Sequence, residues 1–322
     1  MICGLRLSLE CSRSLARAVV QSKWQRYLRH LRDLRADRVG GWSLWILGVL
    51  VSLWLNMPFL MDSIDRAGNP MQFAVLTIFP QLFEPFRATG VLGKAVERGL
   101  VGIEAHDLRD WADNKWRQID DEPYGGGAGM VLQASPVLTA IRDMTSRRRD
   151  ARAIILGPRG RLLDQPLAEE MAQEPCLLLV CGRYEGFDER VLDISGAEEV
   201  SVGDYILGGG EVAAMVLIEA VSRLVPGVVG DPESVSADSF GEGLLDHPCY
   251  TRPPEVEGAL VPEVLLSGNH EAIRRWRLER SVEITVTRRP DLVKRNWKRY
   301  SNEVRKLVGR FAPDLIREMG GD

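Results

Sequence analysis

The feature that most restricts this chain is a set of three glycine-bearing turns spaced along its middle. Gly157-Pro158-Arg159-Gly160 closes the apolar run Ala153 to Leu156, and Gly182-Arg183-Tyr184-Glu185-Gly186 closes Leu177 to Val180. The third, Gly203-Asp204-Tyr205-Ile206-Leu207-Gly208-Gly209-Gly210, runs into Glu211 to Leu224, where Val212, Met215, Val216, Glu219 and Ala220 have helical spacing. Glu211 in the first turn suits the positive end of that helix dipole. Short apolar runs alternating with helical stretches predict a largely parallel α/β sheet, with Phe73 to Thr77 as its first strand. In an open sheet of this kind, turns at the carboxyl ends of strands meet at one crevice, and a ligand sits there. None of the three matches G-x-G-x-x-G or G-x-x-x-x-G-K-S/T, so the usual dinucleotide and triphosphate loops are excluded. The crevice reads as one that holds a nucleoside by main-chain groups.

Charge is segregated along the chain. The net charge is −4 over 322 residues, yet residues 1–70 stand at +5, residues 71–273 at −16 and residues 274–317 at +9. A basic end on an acidic body is the footprint of a polyanion partner. Five cysteines, two of them near the N-terminus, are too few and too scattered for a disulfide framework, which fits a reducing compartment. No C-x-x-C or paired His spacing occurs, which argues against a structural zinc site.

The first seventy residues carry two opposed signals. Val39 to Met61 is a run of 23 residues without a charge, long enough to span a bilayer, and nine Lys or Arg precede it between Arg6 and Arg38. Read literally, residues 42–61 are a membrane anchor. Alternatively the protein starts at Met71, or residues 1–70 form a helical extension. A signal peptide fits poorly, because the basic region is too long and no small-residue cleavage site follows.

Pro226 to Pro262, rich in Gly, Pro, Ser and acids, reads as a connection that is longer than loops without a function usually are. Beyond it Asn269 is placed to cap a helix through Ile273, Trp276 and Arg280, and Asp291 to Arg310 offers a second helical stretch. The expected organisation is an extension at 1–70, an α/β domain at 71–230, a connection at 231–262 and a basic helical domain at 263–322.

Four motifs stand in one order: Asp120-Asp121-Glu122-Pro123-Tyr124-Gly125-Gly126-Gly127-Ala128-Gly129-Met130, Cys181 to Gly186, Gly203 to Glu211, and Ser267-Gly268-Asn269-His270. Together they resemble the bacterial tRNA (guanine-N1)-methyltransferases, from Met71 to about Pro313 and nowhere before Met71. The resemblance implies a SPOUT-type α/β domain with a parallel sheet and a trefoil knot, a small C-terminal helical domain, a homodimer, and a cytoplasmic enzyme. It implies methyl transfer from S-adenosyl-L-methionine to N1 of guanine 37, on the 3′ side of the tRNA anticodon. Mg²⁺ is a cofactor it allows, with no ligand cluster in the sequence to hold one. Ile155 stands where many relatives carry an aromatic residue, and Gly208 where Ser is common; neither change removes a group the chemistry requires.

Guanine N1 carries a proton at neutral pH, so attack on a methyl group needs a base. By the resemblance that base is Asp238, in Ala237-Asp238-Ser239-Phe240 on a loop that can order over the bound nucleotide. Arg223 is matched to the cation that stabilises charge developing on O6. Taken alone, Arg223 would serve a helix C-terminus and Asp238 an Asx turn. Glu185 is matched to a role in holding guanine or a metal. Leu156, Pro158, Gly182, Val202, Gly203, Asp204, Tyr205, Ile206, Leu207, Gly209 and Gly210 are matched to the methyl-donor pocket. The Tyr124 to Gly129 loop is assigned to a dimer interface and RNA-facing rim, and Arg274, Arg275, Arg277, Arg280, Arg288 and Arg289 to phosphate contacts. The target base would leave its stack to reach the pocket. Two other classes remain: a catalytically silent RNA-binding relative, and a membrane-tethered form of the same enzyme.

Overall fold

A computed structural model describes residues 70–230 and 238–320. The expectations for residues 1–69, the anchor at 42–61 included, fall outside the described residues. Among the described residues no helix is long and apolar enough to cross a membrane.

The chain enters through β1 (Met71–Thr77), passes α1 (Phe83–Arg87) and α2 (Gly90–Glu97), and returns as β2 (Val101–Asp107). The short strands β3 (Asp120–Asp121) and β4 (Val131–Leu132) pair antiparallel around the glycine-rich loop between them. Helix α3 (Ala134–Arg147), β5 (Ala151–Leu162), α4 (Gln165–Met171) and β6 (Cys176–Cys181) follow. Helix α5 (Arg190–Ser195), β7 (Glu198–Ser201) and α6 (Gly210–Ser222) complete the α/β part. The five long strands form one parallel sheet in the order β2-β1-β6-β5-β7.

Alternation along the strands explains the layers. Phe73 and Val75 of β1, with Leu177 and Leu179 of β6, face a core shared with Leu167 of α4 and Leu217 and Ile218 of α6. Ala74, Leu76, Leu178 and Val180 point the other way, onto Val137 and Ile141 of α3 and Val191 of α5. Both faces are covered, so β1 and β6 read in the sequence as unbroken apolar runs.

The C-terminal part is helical. A two-stranded hairpin, β8 (Glu255–Val256) and β9 (Ala259–Leu260), leads to α7 (Glu263–Leu266) and then α8 (His270–Arg288). Asn269 caps α8 as expected: its side chain accepts a hydrogen bond from the Ala272 N–H at 3.1 Å. Helices α9 (Pro290–Asn296), α10 (Asn302–Phe311) and α11 (Pro313–Glu318) close over Val282, Val293, Tyr300, Val304 and Val308. Leu244, from the connection, belongs to this core, and the Tyr300 hydroxyl donates to the Gly243 carbonyl at 2.7 Å. An α/β domain with a parallel sheet and a helical C-terminal part agrees with the SPOUT-type architecture that the resemblance implies.

Four details differ from the sequence reading. Strands β2 and β7 lie at the two edges of the sheet and carry too few apolar residues to show as runs. Gly157 to Gly160 does not end a strand: Leu156 and Arg161 both pair with Val200, so the four residues are an excursion from β5, which then resumes. The stretch Asp291 to Arg310 is broken at Tyr300, and Ser301 starts α10 by accepting from the Val304 N–H at 3.2 Å. Helix α6 buries Ala213, Ala214, Leu217, Ile218 and Val221, whereas Val212 and Val216 are exposed.

Candidate functional site

The three glycine-bearing segments line one cavity of about 530 Å³, at the excursion within β5 and the carboxyl ends of β6 and β7. Leu156 and Pro158 come from the first, Gly182 and Glu185 from the second, and Val202, Gly203, Tyr205, Ile206, Leu207, Gly209 and Gly210 from the third. Of the residues matched to the donor pocket, only Asp204 is absent from the wall.

Close main-chain packing is what requires glycine here. The Gly210 N–H donates to the Gly182 carbonyl at 2.8 Å, and a Cβ on Gly210 would lie 2.7 Å from the Cα of Cys181. A Cβ on Gly182 would lie 2.8 Å from the Phe187 ring. Side chains are therefore excluded where the start of α6 is laid against the end of β6, and main-chain atoms are left facing the cavity.

A buried ionic network that no local pattern announces holds this junction. Glu211 is fully buried rather than merely placed at a dipole. The Thr77 hydroxyl donates to Glu211 Oε1 at 2.8 Å, and Arg183 Nε lies 2.9 Å from Glu211 Oε2. That approach is ionic and lacks hydrogen-bond alignment, so neither of those two buried atoms has a hydrogen-bond partner. Arg183 also donates from Nη1 to the Gly208 carbonyl at 2.9 Å, and its guanidinium sits 4.7 Å from the centre of the Phe79 ring. One arginine thus ties the turn after β6 to the turn before α6 and to the end of β1. Burial, with the Glu211 charge adding to it, pushes the Cys181 thiol well above its ordinary value.

Three further wall residues escaped the sequence reading. Arg159 pairs with Glu189 at 2.9 Å and lies 3.8 Å from Glu199, and those two carboxylates hold its guanidinium above its ordinary pKa. With Glu185, Glu189 and Glu199 against Arg159 and Arg183, the wall is net acidic, which suits a cationic ligand. Glu185 is positioned by its N–H donating to the Met130 carbonyl at 3.0 Å, and Gly129 of the glycine-rich loop lies directly on its side chain. Tyr124 at the tip of that loop is fully exposed.

Arg223 and Asp238 are brought together with each other but not into the cavity wall. They form an ion pair just past the end of α6, with both side chains nearly half exposed. Of the C-terminal arginines, Arg274 pairs with Glu271 and Glu303, Arg275 with Glu279, Arg280 with Glu283 and Arg289 with Asp291. Among the described residues no three or more metal-ligating side chains gather.

A family profile described as tRNA (Guanine-1)-methyltransferase TrmD matches residues 71–295. The chain belongs to this family. Among similar curated proteins is the tRNA (guanine-N(1)-)-methyltransferase of Rhodopirellula baltica, 52% identical over 241 residues that make up 74% of this chain and all of the relative. The protein of the same name from Syntrophotalea carbinolica is 52% identical over 238 residues, 74% of this chain and 95% of its own. That of Buchnera aphidicola is 46% identical over 243 residues, covering 74% and 93% respectively. In this member of the methyltransferase family, the cavity, Glu185 and the Arg223–Asp238 pair all fall within the matched span.

Proposed function

We propose that the protein methylates N1 of guanosine 37 in tRNA, with S-adenosyl-L-methionine as donor, and acts as a cytoplasmic homodimer. The observation that carries this reading is the cavity where the three turns meet, in a chain of the tRNA (guanine-1)-methyltransferase family. Its volume falls within the ~300–1,000 Å³ typical of ligand clefts. Exposed main chain at Gly182, Gly203, Gly209 and Gly210 suits the nucleoside portion of the donor, and the acidic wall suits its sulfonium and ammonium charges. When bound, the donor supplies an electrophilic methyl group. Mg²⁺ would find Glu185 but no cluster of three ligands among the described residues, and no step is assigned to it.

The chain's own residues then have defined work. Asp238 accepts the N1 proton, and Arg223 balances the negative charge that moves onto O6 as the proton leaves. In the free protein these two neutralise each other. An exposed ion pair of this kind is worth about 0–1 kcal/mol, so an incoming guanine separates it at little cost: O6 takes the guanidinium and the carboxylate is freed for N1. Because the pair lies outside the cavity wall of one chain, productive binding requires the Asp238 loop or a second copy to bring it over the target. Exposed Ile206 in the cavity wall, with exposed Val212 and Val216 on α6, supports self-association. A tRNA substrate supports the cytoplasmic location.

The test is Asp238→Asn. Calorimetric binding of S-adenosyl-L-methionine should be preserved, while methyl transfer to a tRNA with guanine at position 37 drops by about 10²–10⁴-fold. Near-normal turnover would remove Asp238 as the base, and equal methylation of a tRNA lacking guanine at position 37 would remove the target assignment.

A further inference from the structure

A second cavity, of about 890 Å³ against about 530 Å³ for the one where the three turns meet, is separate from it. It lies in the C-terminal part, between the segment His247 to Pro254 and the helices α7 and α8. Leu265 and Ile273 give it an apolar floor, and Tyr250 presents a half-exposed ring at its side. The Tyr250 ring centre is 6.3 Å from that of Trp276, with the planes tilted by 56°. An aromatic neighbour at that distance fixes the tyrosine ring as a preformed surface.

The polar lining is one-sided. Arg252 and Arg277 are in the wall and no carboxylate is. Most arginines of α8 are committed to carboxylates, as described above, whereas Arg252 and Arg277 have no ion-pair partner among the described residues. Ile273 and Arg277 are four residues apart on α8, so the helix turns an apolar and a cationic side chain to the same cavity. An apolar slot with an aromatic face and two uncommitted guanidiniums matches an unpaired nucleotide: a flat base to stack, a phosphate to neutralise. A protein segment docking here would have to carry an acid into an otherwise apolar seat.

We propose that this cavity is a second RNA subsite, which holds one single-stranded nucleotide of the tRNA with its base on Tyr250 and its phosphate on Arg252 and Arg277. The inference rests on the RNA-methyltransferase reading and adds to it a contact outside the reacting centre. None of these three side chains takes part in the methyl transfer, so the subsite acts on RNA binding alone.

The experiment measures steady-state methyl transfer by the full chain over a range of tRNA and salt concentrations, with sedimentation equilibrium in parallel. Tyr250→Ala should raise the KM for tRNA about tenfold, the loss of one base stack, with kcat and the KM for the donor unchanged. Tyr250→Phe, which keeps the ring, should behave as wild type. Arg277→Gln, on an exposed helix face that the core does not need, should weaken tRNA binding and lower the slope of log K against log salt by about 0.7. A KM for tRNA within twofold of wild type in both Tyr250→Ala and Arg277→Gln overturns the proposal. So does weakened self-association with tRNA affinity intact, which would make the cavity a seat for a second copy. Absence of methyl transfer in the wild-type chain would instead remove the parent reading.

Discussion

Replacing Glu211 by Gln tests whether the buried network, rather than the glycines alone, holds the cavity at the three turns in shape. If the amide keeps its one oxygen to accept from Thr77, it turns an NH2 donor toward Arg183, whose guanidinium then lacks its counter-charge. Breaking a buried pair by removing one partner costs ~3–5 kcal/mol. Here Arg183 keeps about a quarter of its side chain in solvent and Glu211 about 1%, so the lower end of that range applies. At ~2–4 °C per kcal/mol for a domain of this size, a 3 kcal/mol loss lowers Tm by roughly 6–12 °C. The double variant Arg183→Met with Glu211→Leu replaces the pair by apolar groups and should recover most of that stability. It should not recover donor affinity, because Arg183 also holds the Gly208 carbonyl and lines the cavity. Thermal melts followed by circular dichroism and a calorimetric donor titration read the two effects separately. A Glu211→Gln melt within 2 °C of wild type refutes the reasoning, as does a double variant that binds donor normally.

Two further outcomes follow from burial. Among the described cysteines Cys249 is exposed, whereas Cys176 and Cys181 are buried and burial pushes both of those thiols up. Iodoacetamide at pH 8 should therefore label Cys249 and spare Cys181 until the protein is unfolded, and peptide mass spectrometry that finds Cys181 labelled at the rate of Cys249 would contradict this. Burial pushes the Tyr300 hydroxyl up to about 12 from 10.0, so the unfolded chain loses this proton first and the folded chain keeps it. The resulting stability, up to ~2.7 kcal/mol, is present below pH 10 and is lost as pH rises toward 12. Tyr300→Phe should cost ~1–3 kcal/mol at pH 8, since the buried Gly243 carbonyl loses its donor, and should flatten the alkaline decline. Urea denaturation between pH 8 and 11.5 checks both, and an unchanged alkaline slope would count against it.

How far the sequence could be read depended on whether a feature was local. Strands β1 and β6 lie in the middle of the sheet with both faces covered, so their runs of apolar residues announced them. Strands β2 and β7, with sequences such as Glu198-Glu199-Val200-Ser201, are edge strands in which charged and polar residues interrupt the apolar ones, and no run marks them. The Asn269 cap was legible because the cap and the N–H it satisfies are three residues apart. Arg183 and Glu211 are in adjacent motifs, yet their pairing exists only because α6 starts against the end of β6. The cavity beside Arg252 and Arg277 was hidden for the same reason: the charge count marked the basic region but could not show which arginines were already neutralised by their own helix.

The start of α6 laid on the backbone of β6 also bears on inhibition. A compound that fills the cavity at the three turns meets peptide groups at Gly182, Gly203, Gly209 and Gly210, and no substitution removes a peptide group. Nor can the protein block the compound by growing a side chain there, because at Gly182 and Gly210 even a methyl group would collide with Phe187 or Cys181. Single-step resistance would have to arise at the rim, at residues such as Pro158, Glu189 or Ile206, so affinity drawn from the peptide groups would be the part hardest to evade.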